Sequence, residues 1–346
     1  MSDIERFPPF RPHPLVRGGD LQTILAVYLP QRGHTYGAKQ HRVTLDDGDQ
    51  LVLHDDCPPD WRAGNRVALL MHGLAGCHQS GYMVRIATKL AARGVRAFRL
   101  DLRGCGAGFG LARWPYHSGR TEDAAAALRF IEQLCPGSPV SLVGFSLSGN
   151  IALKFCGELG ESRCAGLTDC IAVCPPIDLR ACSKRLAARR NRLYDRHFVR
   201  LLMRQLRAKH LRIADAPGND YAHRPRTLYE FDDTFTAPIC GFGTAENYYR
   251  TASSAQFLKQ IRVPTRIIAA ADDPLIPSAV FGSVPSSSSV DIRVAEGGGH
   301  LGFIARRGDD PDIRWIDWRV LDWIEAQSTP TRSAPFEVAH SRVFTS

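Results

Sequence analysis

The chain has 346 residues, 44% of them hydrophobic, and a formal net charge of +9 at pH 7. That length suits one large domain or a domain carrying an insertion, and it can bury a sizeable core. No stretch reaches the unbroken apolar length of a membrane helix, the N-terminus MSDIERFPPFRPHP has no apolar signal core, and no P-loop or dinucleotide fingerprint occurs, so the expectation is a cytoplasmic protein with no cofactor.

Residues 1–40 are rich in Pro, Gly and Arg and read as an arm packed on the body. Arg42 to Asp55 alternates apolar and polar residues about an Asp-Gly, a β-hairpin pattern. From residue 66 strands and helices alternate. Arg66 to His72 is a continuous apolar run, as expected for a strand covered on both faces. Gly81 to Arg93 carries helical periodicity, and Val95 to Asp101 is the next strand. Thr121 to Leu134 reads as a helix with Thr121 as N-cap. Pro139 to Phe145 is a third strand, followed at once by a helix through Leu159, and LTDCIAVCPP makes a fourth strand. This order predicts an α/β fold, a mostly parallel central sheet with helices on both faces.

The rhythm stops between Pro176 and Ile261, which reads as an inserted cap over the active site. It resumes with strands in VPTRIIAA and SVDIRVAE and a closing helix, RWIDWRVLDWIEAQ, whose Trp315, Trp318 and Leu321 read as core anchors. The core is thus 41–175 and 262–327, and 328–346 is a polar tail. None of the ten cysteines has CxxC or zinc-finger spacing, so the expectation is buried free thiols and no metal. The basic excess lies largely in Arg180 to Arg212. It reads mainly as a solvated face, with no nucleic-acid partner. Arginines interleaved with Leu201, Leu202 and Leu206 suggest weak association with an anionic membrane surface.

The strongest chemical signal is GFSLSGN, Gly144 to Asn150, between a predicted strand and a predicted helix. A serine there sits on a sharp turn with its hydroxyl thrust above the sheet, which makes Ser146 the candidate nucleophile. The Leu147 N–H then points to where an oxyanion forms. Ser148 replaces the second glycine of the usual GxSxG pattern. A serine nucleophile needs a base, and in such folds an acid and then a histidine follow it along the chain. Asp273 is the candidate acid, because Asp-Pro followed by Pro277 suits an acid loop; Asp272 remains the alternative. His300, behind three glycines, follows the last strand and precedes the closing helix, and so is the candidate base. HGLAG, His72 to Gly76, follows the first strand of the alternating region. It offers the Leu74 N–H as second oxyanion donor, with His72 structural.

These residues resemble the YheT-like α/β-hydrolases over nearly the whole chain. DLQTIL (Asp20 to Leu25) resembles that family's HLQT stretch, with Asp20 at the histidine position. DLRGCGAG, YHSGRTED, GFGTAENYYRTAS, AADDPLIP and GGGHLGF resemble further family segments. The resemblance implies an α/β-hydrolase fold and a charge relay of Ser146, Asp273 and His300. It also implies a small ester substrate with a short- to medium-chain acyl group or a lipid character. Acyl transfer to an alcohol and a non-catalytic binding role stay open as alternatives. His117 and Asp123 in YHSGRTED lack the spacing of an acyltransferase pair and read as structural.

Overall fold

The computed structural model describes residues 7–29, 37–164, 166–218 and 223–327. The expected tail, 328–346, lies outside the described residues. Among the described residues, eight strands form one sheet in the order β1-β2-β4-β3-β5-β6-β7-β8. β1 (Lys39–Thr44) and β2 (Gln50–Asp56) form the expected hairpin, and β2 also runs antiparallel to β4 (Arg96–Asp101). β3 (Val67–Met71), β4, β5 (Val140–Phe145), β6 (Leu167–Val173), β7 (Thr265–Ala270) and β8 (Val290–Ala295) are parallel. The α/β-hydrolase architecture expected from the sequence is therefore the architecture found.

Side chains alternate across a strand, and here both faces are buried. Leu69, Met71, Leu142, Ala172 and Ile267 pack on one side against α3 (Thr121–Leu134) and α4 (Leu147–Leu159). Leu70, Val143, Phe145, Ile171 and Ile268 pack on the other against α2 (Gly81–Ala91) and the closing helix, Trp315–Ala326. In the closing helix Trp315 and Leu321 are core anchors, but Trp318 is half-buried. Its ring lies 4.3 Å beneath the Lys89 ammonium, and the buried helical position falls to Trp323 instead. Thr121 is the first helical residue and not the N-cap; its hydroxyl donates to Glu158 at 2.7 Å.

The N-terminal arm is part of the body. Phe10 is buried against Phe303 and Trp315, and α1 (Gly19–Tyr28) lies over the loop that follows β8. Between β6 and β7 the described chain is helical, with α5 (Leu179–Ala187) and α6 (Arg192–Arg212) leading. Its final stretch rejoins the sheet: Leu258 and Ile261 are wholly buried in the α3–α4 core. All ten cysteines are free thiols. No helix among the described residues is long and apolar enough to cross a membrane.

Candidate active site

Ser146 occupies the single position between β5 and α4, at φ 51° and ψ −120°. A non-glycine residue holds such a conformation only where its surroundings impose it. Here its N–H donates to the Val173 carbonyl of β6 at 2.8 Å, and α4 starts at the next residue. Gly144 is forced by the same turn, since a Cβ there would lie 2.2 Å from the Ser148 carbonyl oxygen. Ser148 is fully buried, and its hydroxyl donates to the His72 carbonyl. The departure from glycine therefore adds a tie between the turn and the loop after β3.

His300 Nε2 is 2.8 Å from Ser146 Oγ, and His300 Nδ1 is 2.8 Å from Asp273 Oδ2. A carboxylate only accepts, so Nδ1 carries the proton and Nε2 accepts the serine hydroxyl. Asp273 is 2% exposed, and its Oδ1 accepts the N–H groups of Leu275 and Ile276 at 2.8 and 3.0 Å. Asp272 does not meet the imidazole. Its Oδ1 accepts the Gly299 N–H at 2.8 Å, bracing the glycine loop that carries His300.

Behind His300 stands α1. Thr23 Oγ1 accepts the His300 N–H at 2.8 Å while donating to the Gly19 carbonyl at 2.6 Å. Gln22, wholly buried, donates to the carbonyls of Val16 and Ile304 and accepts the Ile304 N–H. Sequence reasoning gave the arm no part in the site. The one signal was the DLQTIL stretch.

Leu74 and Leu147 both line the cavity at Ser146. Leu147 opens α4, so its N–H has no intrahelical acceptor. Neither the Leu74 nor the Leu147 N–H meets an acceptor among the described residues. Two tyrosines hold the loop that carries Leu74. The Gly73 N–H donates to Tyr82 and the Ala75 N–H to Tyr116, each at 2.9 Å. Burial pushes the Tyr82 phenol up to about 12 and Tyr116 well above its usual range, so both act as neutral hydroxyls. Tyr116, in the YHSG segment, is thus a brace that the sequence did not reveal.

His72 is fully buried, and burial lowers its pKa. Nδ1 donates to the Gly73 carbonyl at 2.8 Å and Nε2 accepts the Leu102 N–H at 3.2 Å, so neither nitrogen is available as a base. His117 and Asp123 stay apart. His117 Nδ1 accepts the Gly119 N–H, and Asp123 takes the Arg103 guanidinium at 2.8 and 3.0 Å. Among the described residues two groups bring potential metal ligands together: His54, His78 and Asp101, and Cys174, Asp273 and His300. In the first, Asp101 accepts from both imidazoles and from the N–H groups of His78 and Ala107. Burial opposes the charge on Asp101, but these donors outweigh it and hold its pKa well below the usual range. The arrangement pins the turn after β4 to the loop after β3.

A cavity of about 170 Å³ opens at Ser146 and His300. Leu186, Phe198, Leu202, Leu206 and Phe231, all from the segment between β6 and β7, form much of its apolar wall. Of the three α6 leucines expected at a membrane surface, Leu202 and Leu206 are buried and line this cavity, while Leu201 is half-buried and outside its lining.

Comparison with known proteins accords with this architecture. Residues 68–312 match the model of the alpha/beta hydrolase family. The chain is 32% identical over 310 residues to "Putative esterase YheT" of Escherichia coli (strain K12), spanning 88% of this chain and 89% of that protein. It is 26% identical over 297 residues to "Phospholipase ABHD3" of Mus musculus, spanning 82% of this chain and 70% of that protein. Among solved structures it resembles 2,6-dihydroxy-pseudo-oxynicotine hydrolase, with a TM-score of 0.56 at 16% identity over 88% of this chain and 70% of that one, a likeness of fold alone. From the turn at Ser146, the strand order and these matches together, the chain belongs to the alpha/beta hydrolase family.

Proposed function

We propose that the protein hydrolyses carboxylic esters through an acyl-enzyme on Ser146. The observation that carries this reading is the unbroken hydrogen-bonded line from Ser146 Oγ through His300 to Asp273, 2.8 Å at each step. His300 Nε2 takes the hydroxyl proton as Oγ attacks the ester carbonyl carbon. The carbonyl π electrons move to its oxygen, and the N–H groups of Leu74 and Leu147 receive that oxyanion. Collapse expels the alkoxide, which takes the proton from His300 and leaves as an alcohol. Water then attacks the acyl carbon, His300 again moves the proton, and the acid departs with Ser146 restored. Asp273 holds the imidazole tautomer and offsets the charge it gains.

In this reading residues 176–261 act as a cap, and their apolar wall favours a lipophilic acyl group over a charged one. Relatives named an esterase and a phospholipase support the reaction class. The test is a p-nitrophenyl ester series of rising chain length, run on wild type and Ser146→Ala, with fluorophosphonate labelling of both. The expected result is labelling of wild type only and a loss of kcat of roughly 10³-fold or more in a folded variant. Retained turnover in Ser146→Ala would remove the proposal.

A further inference from the structure

Helix α1 is built inside out. Gln22 is wholly buried and Thr23 half-buried, both bonded to the loop that carries His300. On the opposite side Leu21, Ile24, Val27 and Tyr28 are 39, 45, 76 and 77% exposed. At 3.6 residues per turn these four share one face. A single exposed apolar side chain is ordinary, but a contiguous row on one helix marks a surface with a partner.

The chemistry beside that row identifies the partner. Asp20 of α1 pairs with Arg190 at 3.0 Å and accepts the Tyr194 hydroxyl at 3.1 Å, so the start of α6 adjoins α1. There Leu193 is 80% exposed, and Arg189, Arg190, Arg192 and Arg196 are all exposed. We propose that the outward face of α1, with Leu193 and this arginine cluster, docks on the surface of an anionic phospholipid membrane. Apolar side chains would enter the boundary between headgroups and acyl chains while guanidinium groups meet lipid phosphates. A second copy of the chain fits less well, because a two-fold pairing of this face would set one arginine cluster near its twin. The mode is lying on the surface and not spanning it, in keeping with the lack of a spanning helix among the described residues. The inference rests on surface chemistry and does not need the ester reaction. If both hold, docking and hydrolysis share one helix, since Thr23 on its inner face holds His300.

The test is co-sedimentation of the full chain with vesicles of phosphatidylcholine alone and of phosphatidylcholine mixed with phosphatidylglycerol. Wild type is expected to pellet with the anionic vesicles at low salt and to be released as salt is raised. Val27→Asp/Tyr28→Ser and Arg189→Glu/Arg192→Glu are each expected to weaken binding at least about tenfold. Both variants should hydrolyse a water-soluble short-chain ester like wild type, which keeps a docking defect distinct from a misfolded site. Wild type that stays in the supernatant with anionic vesicles at low salt overturns the proposal. So does binding that both variants leave intact. So would a dimer in solution that Val27→Asp/Tyr28→Ser dissociates, since a second copy would then cover the face.

Discussion

The Thr23 hydroxyl accepts the backbone N–H of His300 at 2.8 Å, joining two residues 277 positions apart. The bond fixes the loop at the residue whose ring must reach Ser146. Thr23→Val keeps the shape but leaves a largely buried N–H without an acceptor, at a cost of about 1–3 kcal/mol. We expect kcat to fall roughly tenfold, since a small displacement of a catalytic group is costly. KM should change little, and Thr23→Ser should restore most of the rate. Steady-state kinetics on a short-chain ester measure this, and full kcat in Thr23→Val would show that the loop needs no such support.

Asp272 and Asp273 are adjacent, yet the structure gives them separate partners. Asp273→Asn should lower kcat by roughly 10³–10⁴-fold, because the amide no longer selects the right imidazole tautomer. Asp272→Asn should act through the Gly299 loop and cost far less, with part of its loss seen as a lower Tm. Equal losses in the two variants would contradict this division.

Gly299 has φ +58°, and a Cβ there would lie 2.3 Å from the Gly19 carbonyl oxygen. Both the conformation and the close approach of α1 exclude a side chain. Gly299→Ala should therefore destabilise the fold by at least about 1–3 kcal/mol and detach α1 from the loop. Urea unfolding reports the first effect, and faster proteolysis within the N-terminal arm reports the second. Wild-type stability in Gly299→Ala would refute the packing argument.

Burial lowers the pKa of both His72 and His117. The unfolded chain binds these protons near pH 6.5, and the folded chain does not. Their contribution is therefore fully present above about pH 6.5 and is lost as pH falls below it. Burial raises Asp232 to about 6, so the folded state holds that proton more tightly and gains stability as pH falls, which offsets part of the loss. Between about pH 7.5 and 6 the two histidines prevail, and we expect stability to drop by roughly 1 kcal/mol. Thermal melts at matched ionic strength measure it; a Tm at the lower pH equal to that at the higher, or above it, would count against the assignment.

The parallel sheet, the turn at Ser146 and the order of serine, acid and histidine along the chain are legible in the residues alone. Each is local: a continuous apolar run makes a strand buried on both faces, and small residues between strand and helix make a sharp turn. Matters of direction were left to the folded chain. Asp272 and Asp273 stand at the same strand end, and only the fold sets which carboxylate meets His300. Leu202 and Leu206 of α6 and the apolar row of α1 carry similarly hydrophobic side chains, yet the first pair lines the cavity and the row of α1 faces solvent. The reason is that α1 spends its inward face on hydrogen bonds from Gln22 and Thr23 to a loop far along the chain. No periodicity within one short helix can record such a bond, because its strength depends on what the rest of the chain places opposite.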